Sequence, residues 1–233
     1  MPRRIAVLAS GRGSNLRVML EYFAHPARRG TATVALVASN KPDAGALDVA
    51  RDAGIEGRVL DSGANHESAL LGLLDEQSID LVVLGGYLRL IPGGAVRRYS
   101  GRMVNVHPAL LPAFGGPGMY GAKVHRAVLA AGVRLSGPTV HFVDDVYDNG
   151  AIIAQWPVPV FDGDTEQSLS SRVLYAEHRL LPRVVHALAT DRIRLTPGGS
   201  VEGAGLGIDH SAIFALLPRA ALEEAMDEAM GLD

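Results

Sequence analysis

Two side chains that could hold a developing oxyanion and move a proton lie two residues apart near the middle of the chain. Asn105 and His107 stand in an apolar, β-favouring segment, residues 103–107, and Pro108 stops regular structure after it. A period of two places both side chains on one face of the strand end. An amide donor beside an imidazole suits oxyanion stabilisation and proton transfer. A packed histidine beside a turn asparagine gives the same pattern, so both interpretations stay open.

A glycine-rich loop with free backbone donors is predicted near the start of the chain. Residues 5–9 predict a buried strand and residues 16–23 an amphipathic helix, so residues 10–15 join a strand to a helix. The free N–H groups and the dipole at a helix start favour an anion. The loop lacks the Gly-Lys-Ser/Thr of a P-loop, and Leu16 replaces the third glycine of a dinucleotide-binding loop. The predicted ligand is a phosphate monoester, with a plain strand-to-helix turn as the alternative.

Strands alternate with helices along most of the chain. The pattern predicts strands at residues 5–9, 33–38, 57–60, 80–84, 103–107, 136–143 and 152–160, and helices at residues 16–23, 44–53, 66–78, 122–131 and 164–189. This alternation implies β-α-β units, an α/β fold and a parallel sheet that holds ligands at the carboxyl ends of its strands. Residues 10–15, 85–91 and 105–107 all fall at such ends, so we expect them to form one site.

Composition excludes several classes of function. The 233 residues are 48% hydrophobic and carry a net charge of −3, so a large core is expected and a nucleic-acid partner is not. Cysteine is absent, which excludes disulfides and thiolate metal sites. No secretory signal and no apolar run of the ~18–20 residues that a membrane helix needs are visible, so we predict a cytoplasmic protein without a membrane partner. No metal site is predicted.

An acidic turn is the expected source of a carboxylate for His107. Asp144, Asp145 and Asp148 lie between two predicted strands, and a carboxylate near His107 would orient the ring and raise its pKa. A solvated surface turn is the alternative for each acid. His141, on the preceding strand, is either a second ring in the site or a packed strand residue. A serine hydrolase is disfavoured because no Gly-x-Ser-x-Gly elbow is present.

Five segments together resemble one enzyme family. In order and spacing, the chain is similar to the phosphoribosylglycinamide formyltransferase family of folate-dependent enzymes over residues 3–190. The segments are Ser-Gly-Arg-Gly-Ser-Asn at 10–15, Gly-Tyr-Leu-Arg at 86–89, Asn-Val-His-Pro-Ala-Leu-Leu-Pro at 105–112, Gly-Pro-Thr-Val-His-Phe-Val at 137–143 and Asp-Asn-Gly-Ala-Ile-Ile-Ala-Gln at 148–155. The Asn-x-His-Pro segment is shared by folate formyltransferases in general, whereas the Ser-Gly-x-Gly-Ser-Asn loop is more particular to this family.

The resemblance implies a fold, a reaction and its partners. It implies a Rossmann-like formyltransferase fold, with a mostly parallel central sheet and helices on both faces. The implied reaction transfers formyl from 10-formyltetrahydrofolate, as co-substrate, to the amine of 5-phosphoribosylglycinamide in purine biosynthesis, without a metal. The implied partners are small-molecule substrates, and the protein is expected to be a monomer or homodimer. A formyltetrahydrofolate deformylase or another folate-dependent formyltransferase is the alternative, and dependence on the ribonucleotide separates the deformylase from the transferase.

The resemblance also assigns roles to residues. It implies that Asn105, His107 and Asp148 are catalytic, and that Asp148 keeps His107 oriented and basic. The implied ligand contacts are Gly13, Ser14 and Asn15 to the substrate phosphate, Glu177 to the ribose, and Leu88, Arg89, Leu90, Ile91, Asn105, Val143 and Asp144 to the folate.

The chain departs from the family pattern at four places. His66 stands where many members carry an arginine that contacts the folate tail, and Asn149 replaces a residue that is often glycine. Residues 114–121 are longer than in several members. Residues 196–233 have no counterpart, so we predict a formyltransferase domain at 1–195 and a C-terminal extension whose residues 213–230 have helical periodicity.

Overall fold

The structure, a computed structural model, describes residues 1–60, 63 and 65–203. Its strands are β1 (Arg3–Leu8), β2 (Ala32–Ser39), β3 (Glu56–Val59), β4 (Leu81–Leu84), β5 (Met103–His107), β6 (Leu135–Ser136), β7 (Thr139–Phe142), β8 (Ile152–Gln155), β9 (Val158–Pro159), β10 (Ile193–Leu195) and β11 (Val201–Gly203). Its helices are α1 (Ser14–Ala24), α2 (Gly45–Asp52), α3 (His66–Glu76), α4 (Gly93–Arg98), α5 (Ala122–Ala130) and α6 (Glu166–Ala189).

One seven-stranded sheet organises the molecule. Its strand order is β3-β2-β1-β4-β5-β7-β8, in which β3, β2, β1, β4 and β5 are parallel. β7 and β8 join the β5 edge in antiparallel register. The parallel strands are connected through helices, as parallel pairing requires. The predicted α/β fold with a mostly parallel central sheet is therefore confirmed.

Helices cover both faces of the sheet because its central strands are apolar on both faces. Along β1, Ile5 and Val7 belong to one hydrophobic core, whereas Ala6 and Leu8 belong to a second. α1, α2, α5 and α6 supply buried side chains to the first core, and α3 and α4 to the second. Each fully buried leucine or isoleucine adds about 1.5–3 kcal/mol to the hydrophobic driving force.

The helix α6 crosses the first core and carries one predicted site residue, Glu177, near its middle. A capping box begins it: the Thr165 side chain accepts from the Ser168 N–H, and the Ser168 hydroxyl accepts from the Thr165 N–H. Leu169, Val173 and other side chains at helical spacing are fully buried. This packing holds the helix in place although Pro182 removes one of its backbone donors.

Two predicted strands are each divided in the structure. The predicted strand 136–143 separates into β6 and β7, and the predicted strand 152–160 separates into β8 and β9. Pro138 and Pro157 stand at the divisions, and proline has no N–H to donate to a ladder. β6 and β9 pair with each other in a small separate sheet, while β8 forms the edge of the main sheet.

Two parts of the chain differ from the predictions or extend beyond them. The short helix α4 was not predicted, because it starts with two glycines and spans six residues. β10 and β11 form an antiparallel hairpin, and residues 196–200 form its turn, so the start of the predicted extension pairs with the predicted domain. The predicted helical stretch 213–230 lies outside the described residues.

In the part of the chain that the structure describes, no helix is long and apolar enough to span a membrane.

A buried ion pair joins Asp164, just before α6, to Arg172 within that helix. The Asp164 carboxylate accepts hydrogen bonds from Arg172 at 2.8 and 3.0 Å, and their side chains are only 1% and 9% exposed. Burial raises the pKa of Asp164, but hydrogen bonds from Arg172, the Phe161 N–H and Ser168 outweigh it and lower the pKa to about 2. The ionised carboxylate therefore stabilises the folded state at neutral pH.

We expect Asp164→Asn to lower the free energy of unfolding at pH 7 by about 3 kcal/mol, because it leaves the Arg172 charge buried and unpaired. The stabilisation from a depressed pKa is present above the unfolded value near 4 and is lost as pH falls through about 2. The difference between variant and wild type should therefore shrink by about 1 kcal/mol at pH 3. Urea unfolding at pH 7 and pH 3 measures both values.

Asp162→Asn is the matched control, since Asp162 pairs with Arg134 at the surface and both side chains are largely exposed. It should change the free energy of unfolding by less than about 1 kcal/mol. If Asp164→Asn lowers the free energy of unfolding by the same amount at pH 7 and pH 3, the lowered pKa of Asp164 is contradicted.

Candidate active site

A cavity of about 600 Å³ opens at the carboxyl ends of β1, β4 and β5. Loops after these strands, the turn between β7 and β8, and side chains of α5 and α6 enclose it. It brings together all the residues assigned a role by the resemblance, although their individual roles remain predictions. These residues are Gly13, Ser14, Asn15, Leu88, Arg89, Leu90, Ile91, Asn105, His107, Val143, Asp144, Asp148 and Glu177.

Asn105 and His107 reach the cavity from the end of β5 and meet Asp148 there. The His107 Nδ1 lies 3.4 Å from one carboxylate oxygen of Asp148, and the Asn105 amide donates to the other at 3.3 Å. Of the three acids in the turn, Asp148 is the one whose carboxylate faces His107. Asp144 instead accepts from the Val146 N–H and from the Asn149 side chain, so it stabilises the turn itself.

His141 is a fourth member of this cluster. β5 and β7 pair so that Asn105 lies opposite His141, which places both side chains on the same face of the sheet. The His141 Nδ1 lies 2.8 Å from the Phe142 carbonyl oxygen, which can only accept, so this nitrogen carries the proton. The Nε2 of the ring lies 3.1 Å from the Asn105 amide nitrogen and accepts from it. His141 is thus part of the site and fixes the orientation of Asn105.

The environment of His107 contradicts the expected direction of its pKa. Burial lowers the pKa of His107 below its ordinary value, and the Asp148 charge and the Phe114 carbonyl oppose this effect without overcoming it. The Nε2 lies 2.8 Å from the Phe114 carbonyl oxygen, so both ring nitrogens face acceptors. The prediction of a raised pKa was wrong because it counted the carboxylate and not the loss of water. The ring is mainly neutral at pH 7 and can accept a proton.

Asp148 stays ionised in spite of burial. Burial raises its pKa, but the nearby His141 and His107 side chains and the Gly116 N–H together lower it below the ordinary value. The Gly116 N–H donates to the carboxylate at 3.0 Å. Asp148 adopts a left-handed backbone, with φ of 53°. A non-glycine residue in this region is under local strain, which the hydrogen bonds to its carboxylate offset.

The predicted phosphate loop starts α1, and the N–H groups of Gly13, Ser14 and Asn15 have no hydrogen-bond partner among the described residues. Gly13 is in the left-handed region at φ 78°, and a Cβ on it would lie 2.7 Å from the Ala46 Cα. Only glycine permits this close approach of the loop to α2. The Asn15 side chain then donates to the Glu177 carboxylate at 2.5 Å, which ties α1 to α6. The free N–H groups and the helix dipole suit a phosphate.

The segment after β4 forms an apolar wall of the cavity. Leu88 and Leu90 are 40% and 46% exposed, whereas Ile91 is buried. Val143 lines the cavity near the other end of this wall. Exposed leucines beside a cavity suit a flat, partly apolar ring. His66, at the start of α3, does not line the cavity, so its side chain is not part of this wall.

Sequence analysis missed several cavity residues, chiefly His125. This histidine lies in the first turn of α5, is 4% exposed, and its Nδ1 has no hydrogen-bond partner among the described residues. Burial lowers its pKa, and the charge of His107 adds to that effect. Tyr120 and Met119 also line the cavity. The sequence could have indicated these residues only through their position soon after the predicted site segment 105–112.

Among the described residues, no group of three or more His, Asp or Glu side chains could hold a metal ion.

Comparisons with known proteins place this cavity in context. The Formyl transferase family model matches residues 3–185. The chloroplastic phosphoribosylglycinamide formyltransferase of Arabidopsis thaliana is 44% identical over 206 residues, which cover 85% of this chain and 70% of that protein. The trifunctional purine biosynthetic protein adenosine-3 of Bos taurus is 40% identical over 203 residues, but this chain spans only 19% of its length.

A solved structure has a similar fold throughout. The crystal structure of phosphoribosylglycinamide formyltransferase from Anaplasma phagocytophilum superposes with a TM-score of 0.79 at 35% sequence identity. The match covers 88% of this chain and 96% of that one. The likeness therefore extends over most of the chain.

Glu177 generates a prediction about the pH dependence of stability. Burial raises its pKa to about 7, and the hydrogen bond from Asn15 opposes this rise. Between the unfolded value near 4.5 and about 7, the folded protein holds a proton that the unfolded chain releases. The free energy of unfolding therefore falls as pH rises through this window.

Glu177→Gln removes this titration and retains an acceptor for Asn15. Relative to wild type, the variant should gain about 2 kcal/mol in the free energy of unfolding between pH 5 and pH 8, measured by urea unfolding. Glu21→Gln, at an exposed position of α1, is the control and should show no such gain. If Glu177→Gln differs from wild type by the same free energy of unfolding at pH 5 and pH 8, the raised pKa of Glu177 is refuted.

Proposed function

The chain belongs to the formyl transferase family, and on that premise we propose that it is a phosphoribosylglycinamide formyltransferase of purine biosynthesis. The enzyme transfers formyl from 10-formyltetrahydrofolate to the amine of 5-phosphoribosylglycinamide, giving formylglycinamide ribonucleotide and tetrahydrofolate. One observation carries the proposal. A single cavity contains the Asn105, His107 and Asp148 cluster, with a phosphate-suited loop and an apolar wall around it.

The two substrates occupy different parts of the cavity. The ribonucleotide phosphate binds the N–H groups of Gly13–Asn15, and Glu177, one hydrogen bond away from Asn15, accepts from the ribose hydroxyls. The pterin of the folate lies against Leu88–Ile91 and Val143, near the turn that holds Asp144. The amine and the formyl group then meet beside β5.

Asn105 stabilises the oxyanion. The amine attacks the formyl carbon, and the electrons of the carbonyl bond move to oxygen. The Asn105 amide has two hydrogens, which point to His141 at 3.1 Å and Asp148 at 3.3 Å. The longer bond, to Asp148, is the one that the oxyanion replaces. The bond to His141 keeps the amide aimed while this exchange takes place.

His107 moves the proton. Its lowered pKa favours a neutral ring, whose Nε2 carries the proton while it faces the Phe114 carbonyl. Once substrate has displaced that carbonyl, the ring proton resides on Nδ1, facing Asp148, and Nε2 accepts the proton of the attacking amine. The imidazolium then protonates N10 of the folate as the carbon–nitrogen bond breaks, which restores the neutral ring. Asp148 stabilises the imidazolium between these two transfers. Atoms and charges balance without a metal.

Several broader features belong to the same proposal. 10-Formyltetrahydrofolate is a co-substrate, and the partners are small molecules. We propose a cytoplasmic location and a monomer or homodimer. The formyltransferase domain extends through residues 1–195, and the β10–β11 hairpin crosses into the proposed extension 196–233.

The test is an incubation of purified protein with 10-formyltetrahydrofolate, with and without 5-phosphoribosylglycinamide, followed by absorbance as tetrahydrofolate forms. We expect turnover that requires the ribonucleotide. Turnover without it would indicate a deformylase and would overturn the phosphate assignment of the loop. No turnover in either mixture would refute the proposed reaction.

We expect His107→Ala and Asn105→Ala each to lower kcat/KM on the order of 10²-fold or more, by loss of the proton carrier and of the oxyanion donor. Asp148→Asn should lower kcat as well, and it should move the acidic limb of the pH–rate profile to lower pH, because the charge that raises the pKa of His107 is removed. Steady-state kinetics across pH 5–9 measures both effects.

Asp145→Asn provides the control within the same turn, since the structure gives Asp145 no contact with His107. Its kcat and pH profile should match wild type. Near-normal turnover in His107→Ala, or an unmoved acidic limb in Asp148→Asn, would contradict the mechanism.

A further inference from the structure

Ser10 opens the glycine-rich loop but contacts the apolar wall on the other side of the cavity. It directly follows β1 and Ala9, is buried, and does not line the cavity. Its N–H donates to the Gly86 carbonyl at 3.0 Å. Its hydroxyl oxygen accepts from the Leu88 N–H at 2.9 Å. One residue therefore holds both ends of the turn that leads from β4 into the wall segment Leu88–Ile91.

Asn40, just after β2, fixes the direction of this contact. The Ser10 hydroxyl donates its single hydrogen to the Asn40 side-chain oxygen at 2.5 Å. A hydroxyl has one donor and two acceptor lone pairs, so the remaining lone pairs are free to face the Leu88 N–H. The carboxyl ends of β2, β1 and β4 are thus joined through one oxygen atom.

The turn that Ser10 holds depends on such support. Gly86 has a left-handed backbone, with φ of 80°, and no residue other than Ser10 is recorded as a partner of the Leu88 N–H in the described chain. Without the hydroxyl, this donor is left unsatisfied and the peptide between Tyr87 and Leu88 loses its fixed orientation. The positions of the Leu88 and Leu90 side chains at the wall follow from that peptide.

The phosphate loop, in contrast, has its own anchors. The Gly11 carbonyl accepts from the Ala46 N–H at 3.1 Å, Gly13 packs on Ala46, and Asn15 bonds Glu177. None of these contacts involves the Ser10 side chain. The loop geometry that would receive a phosphate is therefore maintained when the Ser10 hydroxyl is removed.

We propose that Ser10 is a positioning residue for the folate, although its place in the sequence is in the loop that binds the ribonucleotide phosphate. Its hydroxyl, oriented by Asn40, fixes the backbone of the pterin wall and leaves ribonucleotide binding unaffected. This inference rests on the proposed function, since it assigns the wall to the folate.

The test is isothermal titration of the full-length wild-type chain and its variants with tetrahydrofolate and, separately, with 5-phosphoribosylglycinamide. Ser10→Ala should weaken the Kd for tetrahydrofolate on the order of 10-fold, because a backbone donor loses its partner. The Kd for the ribonucleotide should stay within about twofold of wild type. In steady-state assays, the KM for 10-formyltetrahydrofolate should rise with a smaller change in kcat.

Two further variants separate positioning from general damage. Asn40→Ala, which keeps Ser10 and alters a half-buried side chain, should weaken tetrahydrofolate binding in the same direction by a smaller factor. Asn40→Asp retains an acceptor for the Ser10 hydroxyl and should restore tetrahydrofolate binding to within about twofold of wild type. Thr31→Ala is the matched control. It removes a hydroxyl that donates to the Arg28 carbonyl at the opposite end of β2, and it should change neither Kd.

Each outcome decides the proposal. Unchanged tetrahydrofolate binding in Ser10→Ala, or an equal or larger loss of ribonucleotide binding, would overturn it. Failure of the wild type to bind tetrahydrofolate would also overturn it, since the wall would then hold no folate. If the wild type binds tetrahydrofolate but shows no ribonucleotide-dependent turnover, the proposed reaction fails while the Ser10 comparison remains decisive.

Discussion

A buried carboxylate in the turn between β7 and β8 needs donors around it, and the organisation of the site follows from that need. Asp148 is ionised within a cavity wall, where an unpaired charge would be costly. Its neighbours come from three separate elements: the His107 ring and the Asn105 amide from β5, the His141 ring from β7, and the Gly116 N–H from the loop that follows β5. The Asn105 amide and the Gly116 N–H donate to it, and His141 accepts from Asn105. The antiparallel pairing of β5 with β7 supplies the first three on one face.

The cavity holds a second buried carboxylate, Glu177, whose pKa is shifted in the opposite direction to that of Asp148. The two groups differ in the number of nearby donors. Asp148 has several donors and charges near it, and its pKa falls in spite of burial. Glu177 has one recorded donor, Asn15, and its pKa rises to about 7. The site therefore combines a fixed negative charge beside His107 with a group that gains or loses its proton near neutral pH. A ligand that brings hydroxyl donors to Glu177 would stabilise its ionised form.

The parts of the molecule that could be predicted from sequence are those set by local pattern. Apolar runs between helices predicted the parallel sheet, and the glycine loop predicted where α1 begins. The direction of the His107 pKa shift could not be predicted, because it depends on how deeply the fold buries the ring, and no local sequence pattern shows that. The place of His141 could not be predicted either, because it depends on the register between β5 and β7, which brings His141 opposite Asn105. The strands divided at Pro138 and Pro157 show the reverse error, in which an apolar pattern outweighed the missing proline donors.

The position of the cavity follows from the order of the strands. The chain runs from β1 outward to β2 and β3 with α1 and α2 on one face, then returns across the sheet through α3 to β4 on the other side of β1. The loops after β1 and β4 consequently leave in different directions, and a crevice opens between them, as it does at the switch point of open α/β sheets. A crevice of this kind gives two substrates separate walls, but it also leaves those walls without a shared strand ladder beyond the last paired residues. Beyond the paired residues the Ser10 N–H still donates to the Gly86 carbonyl, and the Ser10 hydroxyl then accepts from the Leu88 N–H. One residue therefore continues the connection between the two walls after the ladder ends.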